Sequence, residues 1–315
     1  MQNIQKSGFL NIENKLYTLQ DQFDGELSFY ATDGKSEIAV NENKVVEAGS
    51  CIKSFILLEY FRQKIANEEI LIYDEHRHRT LGSGIAGFML NGTPYYAINL
   101  AKQMIVISDN VATNMIIERL GIDQINGTIQ KNFPNTKLLA DKLDFDIYRE
   151  VGTTTAYEYA SLFQKILLND NIDLDEERCK EMIEIFSRQK YRTLLEYSIS
   201  PDLLDEMGEE NAELIAMATK SGAFGSKKKN IPSVRNDGGI IFTKYGNFIA
   251  SIFTKHNTDY RYYDHHPGFA AGGEAFRSVL DPFLENKGSF LTEEETQYVS
   301  EREPLGYVRT LKKGI

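Results

Sequence analysis

Cysteine is scarce: this chain of 315 residues has two, Cys51 and Cys179. Two cannot build a disulfide framework, and neither sits in a Cys-x-x-Cys or Cys/His spacing suited to a metal. Long apolar runs are missing as well. None approaches the roughly 18 residues of a membrane span. The polar stretch from Met1 to Glu13 also lacks the apolar core of a signal peptide. The expectation is a cytoplasmic protein without a membrane partner. Positive charge is in deficit, with 35 Lys plus Arg against 46 Asp plus Glu and a formal net of −11. That balance argues against nucleic acid as a partner, because neutralising phosphates needs a basic surface. The longest basic run, Lys227-Lys228-Lys229, reads as a solvated loop. There is no internal repeat, low-complexity tract, phosphate loop or dinucleotide fingerprint. His76, His78 and the pair His265-His266 lack a third ligand at workable spacing and read as exposed loop residues. Neither metal nor cofactor is expected.

What is present is ordinary for a soluble globular protein: 42% hydrophobic and 26% charged residues, long enough for one large domain or two small ones. A helix is expected over about Ile12 to Phe23, then strands at Leu27–Ala31 and Glu37–Val40 around an Asp33-Gly34 turn. From Ser50 to about Leu204 the pattern is mostly helical. Its clearest stretch is Ala156 to Leu168, where Tyr159, Leu162, Phe163, Ile166 and Leu167 share one face behind a Thr155/Glu158 capping box. Strand character returns at Ile215–Ser221, Gly239–Thr243 and Phe248–Lys255, the last two joined at Lys244 to Asn247. Asp281-Pro282 lies in or near a final helix. The order strands, helices, strands implies an α+β fold, an antiparallel sheet flanked by helices plus an all-helical lobe. The α/β lobe covers about 1–49 and 212–287, the helical lobe about 50–211, and residues 288–315 read as an appended tail. A cleft between two lobes is a usual place for a site.

Three short motifs stand in order: Ser50-Cys51-Ile52-Lys53, Ser108-Asp109-Asn110 and Lys220-Ser221-Gly222. Singly they say little. Ser-x-x-Lys recurs at Ser187–Lys190 and Ser226–Lys229, and a surface lysine on a helix turn accounts for most such matches. Asp109 or Asn110 can be a plain N-cap for the helix that ends at Gly121, and Lys220 can be an exposed lysine on an edge strand. Context favours chemistry at the first motif. Ser50 follows Gly49 and opens a helix that is apolar all round, with Ile52, Phe55, Ile56, Leu57, Leu58, Tyr60 and Phe61. Its hydroxyl would sit at the positive helix end, among free backbone N–H groups. Lys53, one turn on, would share its face, and burial would lower the lysine pKa enough to take the serine proton.

Together the motifs resemble those of class A β-lactamases and penicillin-binding proteins. Thr153-Thr154-Thr155-Ala156, Arg192 to Leu195 and Gly238-Gly239-Ile240-Ile241 add to the resemblance, which covers roughly residues 12–285. It implies the β-lactamase/DD-peptidase fold and these roles. Ser50 attacks the carbonyl and becomes the acyl-enzyme, with Lys53 as general base or its partner. Ser108 passes the proton to the leaving nitrogen, and Asn110 bonds the substrate amide. Lys220 holds Ser108 and attracts a substrate carboxylate, to which Ser221 donates beside Gly222. The N–H groups of Ser50 and Ala223 form an oxyanion hole, worth about 2.7–4 kcal/mol per donor.

Two departures stand out. The Glu-x-x-Leu-Asn segment that primes water for deacylation in class A enzymes has no counterpart between Gly121 and Thr153. Asp144 is the nearest carboxylate, in a shortened acidic loop that also holds Asp141, Asp146 and Glu150. Losing a positioned base typically costs about 10²–10⁴-fold. The usual strand arginine is replaced by Asp237-Gly238-Gly239, with Arg235 close enough to substitute. The expected partner is a small molecule with an amide or ester carbonyl and a carboxylate. The activities compatible with this are a β-lactamase-like hydrolase, a D-alanyl-D-alanine peptidase, a small-molecule esterase or amidase, and a non-catalytic penicillin-binding sensor. Oligomeric state is not legible.

Overall fold

Apolar residues of period two and period four alternate along the chain in blocks, and the elements follow them. The computed structural model describes residues 8–145, 150–191, 195, 215–227, 231–256, 259–260, 266–300 and 308–310. Asp146, residues 192–194, Lys228, Lys229 and His265 lie outside the described residues. The first elements are α1 (Gly8–Gln22), β1 (Glu26–Thr32), β2 (Ser36–Val40) and β3 (Val46–Glu47), followed by α2 (Lys53–Arg62), β4 (Ile70–Ile72), α3 (Glu75–His78) and β5 (Pro94–Tyr96). Helices α4 (Ala97–Val106), α5 (Asn110–Leu120) and α6 (Ile122–Asn132) come next, then β6 (Lys137–Leu138), β7 (Gly152–Thr154), α7 (Ala156–Leu168) and α8 (Glu176–Ser187). The chain ends with β8 (Ile215–Thr219), β9 (Gly222–Ser226), β10 (Ile231–Thr243), β11 (Gly246–His256), α9 (Pro267–Glu285), α10 (Glu293–Ser300) and β12 (Val308–Thr310). Contacts divide it into a sheet unit, residues 1–44, 193–217 and 223–315, and a helical unit, residues 45–192 and 218–222. Among the described residues, no helix is long and apolar enough to cross a membrane.

The sheet runs in the order β12-β2-β1-β11-β10-β8, with β9 beside β10. Strands from opposite ends of the sequence meet in register, antiparallel, with Phe29 opposite Ile252, and β10 pairs with the next strand, β11, with Ile240 opposite Ile249. In α1, Ile12, Leu16 and Leu19 recur at helical spacing. They enter one core with Phe276, Val279 and Phe283 of α9 and with Phe29, Phe248 and Ile252 of the strands. Each such side chain contributes about 1.5–3 kcal/mol on burial. Pro282 falls inside α9.

The end of the chain corrects the expectation of an appended tail. Phe290, Leu291 and Val299 lie in the sheet-unit core, the Phe290 ring is 5.5 Å from that of Phe248, and the Phe290 amide donates to Asp33. Beyond them β12 adds an edge strand, with Val308 opposite Ile38. Three apolar residues in a polar background carry too little periodicity to signal burial, and only the fold gathers them on one face. His266, expected in an exposed loop, is buried. Its Nδ1 accepts the Gly268 N–H, capping α9, and its Nε2 lies 2.9 Å from Ser233 Oγ.

In the helical unit α2 is the centre: every residue from Lys53 to Phe61 is buried, as an all-round apolar helix should be. Aromatic rings continue the packing from Phe55 to Phe133 at 5.1 Å, Tyr159 to Phe163 at 5.3 Å and Phe163 to Phe186 at 4.9 Å. Thr155 caps α7 as expected, its hydroxyl accepting the Glu158 N–H at 3.0 Å. The return half of the box is absent, because the Glu158 carboxylate instead takes the Asn135 N–H and the Thr136 hydroxyl. His78, also expected to be exposed, is buried: its Nδ1 accepts the Asp74 N–H, so Nε2 carries the hydrogen offered to Glu118. A half-polar segment is read as loop until its imidazole finds two partners.

Candidate active site

The three motifs meet in the helical unit. Residues 218–222, which begin with the last two residues of β8, group with the helices and not with the sheet, so Lys220, Ser221 and Gly222 join Ser50, Lys53, Ser108 and Asn110 in one unit.

Ser50 lies in a short 3-10 turn, Gly49–Ile52, that runs directly into α2. Residues three apart eclipse in such a turn, so Ser50 and Lys53 fall on one face. In this turn the Cys51 N–H bonds the Ala48 carbonyl at 3.1 Å. The backbone of Gly222 lies against this turn: a Cβ on Gly222 would fall 2.8 Å from both the Ser50 nitrogen and the Ala48 oxygen. Only glycine fits there.

Lys53 is fully buried. Its Nζ lies 2.7 Å from the Ser108 carbonyl, 3.1 Å from Ser108 Oγ and 2.7 Å from Asn110 Oδ1. All three oxygens are neutral. Burial holds the lysine well below its ordinary pKa of 10.5, the Lys220 charge pushes the same way, and Asp109 opposes both. The contacts also say what a neutral amine would do. With two hydrogens and a lone pair it can still donate to the Ser108 carbonyl and Asn110 Oδ1, which only accept. The lone pair then faces Ser108 Oγ, the one partner able to donate. Lys53 and Ser108 can therefore exchange a proton directly.

Ser108 bridges α4 and α5 in the left-handed conformation, φ +54, which costs a non-glycine residue on the order of 1 kcal/mol. Asp109 holds the turn. It caps α5 through Oδ1 to the Ala112 N–H, and its Oδ2 accepts the Ile85 and Ala86 N–H groups. The N-cap reading thus belongs to Asp109, and Asn110 is the first residue of α5. The loop so gripped passes closely, since a Cβ on Gly84 (φ +115) would fall 2.2 Å from the Asp109 carboxyl carbon. Asn110 donates to the Leu81 carbonyl at 3.0 Å.

Lys220 is fully buried, which rules out the exposed edge-strand lysine. Its Nζ donates to the Ser221 carbonyl at 2.6 Å, and the Ser221 hydroxyl donates to the Tyr191 carbonyl. The Lys220 carbonyl accepts the Tyr159 hydroxyl at 2.6 Å and the Cys51 thiol at 3.4 Å. Tyr159 reads in the sequence as one residue of an apolar helix face; the signal was that a buried phenol needs a partner for its hydroxyl.

Ala223 and Arg235 belong to the sheet unit. There the buried Arg235 donates through Nη1 to the Phe224 and Val234 carbonyls. Asp144 is half-buried in the helical unit, next to Leu143, whose N–H and carbonyl are both bonded by the Asn114 side chain of α5. Among the described residues, no group of three His, Cys, Asp or Glu side chains is placed to hold a metal ion.

Residues 11–271 match the Beta-lactamase enzyme family. No curated protein sequence matches the chain. Solved structures do. The β-lactamase from Sphaerobacter thermophilus DSM 20745 is 22% identical, with a TM-score of 0.71 over 90% of this chain and 99% of its own. PBP-A is 24% identical, with a TM-score of 0.72 over 87% and 96%, and a mutant of it has been solved as an acyl-enzyme complex with penicillin G. The class A β-lactamase from Mycobacterium abscessus is 18% identical, with a TM-score of 0.69 over 87% and 99%. The fold described above is theirs.

Proposed function

This chain belongs to the β-lactamase enzyme family and is a serine acyl hydrolase of that type; from this premise we propose that Ser50 is the nucleophile, Lys53 its general base, and β-lactams substrates that acylate it faster than they leave. The observation that carries the proposal is the position of Lys53: buried, bonded to three neutral oxygens, held below its ordinary pKa and one turn beyond Ser50. A neutral Lys53 takes the Ser50 proton as Oγ attacks the carbonyl carbon. The proton then passes from the Lys53 ammonium through the Ser108 hydroxyl to the leaving nitrogen as the ring C–N bond breaks. The buried Lys220 supplies positive charge for the substrate carboxylate, to which Ser221 donates, and Asn110 bonds the substrate amide. Slow departure is expected because no Glu-x-x-Leu-Asn segment stands between Gly121 and Thr153 to prime the deacylating water.

The test is intact-mass spectrometry over time with a penicillin and a chromogenic cephalosporin, using Ser50→Ala as control. The expected result is a covalent adduct on the parent that outlasts the free antibiotic, and none on the control. An adduct that clears as fast as it forms would leave the acyl-enzyme standing and overturn slow deacylation. Acylation of the Ser50→Ala variant would overturn the nucleophile. An amidase or esterase without penicillin affinity is the outcome if the parent forms no adduct.

A further inference from the structure

We infer that Tyr159, which lies outside all three motifs, is a positioning residue: it ties the backbone of Lys220 to α2 and so keeps the Lys220–Gly222 segment seated against Ser50. The inference rests on the reading of Ser50 as nucleophile, Lys53 as base and Lys220 as a site cation.

The bonds form a directed chain. Tyr159 Oη lies 2.6 Å from the Lys220 carbonyl, which can only accept, so the phenol's one hydrogen points there. Ser54 Oγ lies 3.1 Å from the same Oη, and with that hydrogen committed, Ser54 is the donor. Lys53 and Ser54 are neighbours at the start of α2. Lys53 reaches the Ser108 motif, and Ser54 reaches the Lys220 motif through Tyr159. One turn of one helix thereby references both other motifs. The Cys51 thiol adds a weaker bond to the same carbonyl, from the residue after Ser50.

Tyr159 is suited to act as a strut. It is fully buried, its ring packs 5.3 Å from Phe163 and 6.0 Å from Phe55, and α7 is pinned at its first turn by the Thr155 cap and the Glu158 bonds. The segment it holds has little room to move inward, because a Cβ at Gly222 would already fall 2.8 Å from the Ser50 nitrogen. Position also matters electrically. The charged groups acting on Lys53 are Lys220 and Asp109, so a shift of the Lys220 segment alters the proton affinity of the base.

A buried phenol that merely satisfies a carbonyl would give the same contacts, so the test reads the base as well as stability. Tyr159→Phe, the double variant Tyr159→Phe/Ser54→Ala and Phe163→Leu are compared with the parent. Penicillin acylation is followed from low to high pH by quenched intact mass, and Lys53 is titrated by carbon-13 NMR of its ε-carbon. Tyr159→Phe is expected to acylate about 10-fold more slowly, because the Lys220 carbonyl then keeps only the weaker Cys51 thiol bond. Its acid limb and Lys53 midpoint move to higher pH, because a loosened Lys220 repels the Lys53 ammonium less. Removing the stranded Ser54 hydroxyl in the double variant restores melting temperature but neither rate nor midpoint. Phe163→Leu lowers the melting temperature and leaves the acid limb in place. A Tyr159→Phe protein with parental rate, limb and midpoint overturns the inference, as does a double variant that recovers all three. If the parent forms no adduct, the reading of β-lactams as acylating substrates fails by itself. The Lys53 midpoint still decides the role of Tyr159, and a parental value in Tyr159→Phe counts against it.

Discussion

Both units bury cationic side chains, and they treat them differently. In the sheet unit Arg235 gives Nη1 to two backbone carbonyls, Phe224 and Val234. His266 caps α9 and is pushed down to about 4, first by burial and then by the nearby Arg235 charge. Arg235 closes on the fold's own backbone, while His266 takes a backbone N–H at Nδ1 and meets the Ser233 hydroxyl at Nε2. In the helical unit Lys53 meets three neutral oxygens, one of them a hydroxyl able to reverse its bond. Its buried neighbour Lys220 adds repulsion. That arrangement destabilises the ammonium without replacing it by a better fold contact. At Lys53 the hydroxyl partner can exchange a proton with the buried amine, which the two carbonyl partners of Arg235 cannot.

The largest effect expected from breaking this contrast is at Lys53. Lys53→Met should lower the acylation rate by about 10²–10⁴-fold, the range for a lost general base, while melting temperature holds or rises, since an unfavourable buried amine is replaced by an apolar chain of similar length. Loss of activity through unfolding would contradict this. Gly222→Ala comes next. A methyl 2.8 Å from the Ser50 nitrogen must push the segment outward, at about 1–3 kcal/mol for overpacking, so slower acylation and a lower melting temperature should appear together. In the sheet unit the expected effect is on stability alone. His266 in the folded chain titrates near 4 against an ordinary 6.5, so between those values the unfolded chain binds a proton that the folded one refuses. Stability therefore falls as pH drops through that window. His266→Asn keeps a capping side chain and should flatten the dependence, measured as melting temperature at about pH 7 and about pH 4.5. Asp144→Asn is the smallest. If the loop beyond β6 is acidic surface and supplies no base, adduct lifetime is unchanged, and a longer lifetime would make Asp144 the deacylating group.

Much of the architecture was legible in the sequence. Helix α7 runs from Ala156 to Leu168 as its apolar spacing implies, and β11 covers the strand expected around Phe248 to Lys255. The uniform apolarity of α2 announced a central helix. Signals failed where burial is sparse or bonding is non-local. Phe290, Leu291 and Val299 are too few to set a period, and His78 and His266 look like loop residues until their caps and partners are placed. At the site, the ordered motifs gave Ser50, Lys53, Ser108, Asn110 and Lys220, and the fold gathers all of them in one unit. Neither Asn110 as an acceptor for Lys53 nor Tyr159 as a support for Lys220 could be read from spacing, because each contact joins elements more than fifty residues apart. The return of residues 218–222 to the helical unit was likewise invisible, since those residues continue a strand.

The central claim is that Lys53 is neutral enough at working pH to activate Ser50. The most direct measurement is the rate of covalent modification by a penicillin as a function of pH, read by quenched intact mass on the parent and on Lys53→Met. The account predicts that the parental rate reaches its plateau well below 10.5, the ordinary lysine value, and that Lys53→Met has neither plateau nor comparable rate. A parental rate still climbing through that value, or a Lys53→Met protein that acylates like the parent, would contradict it.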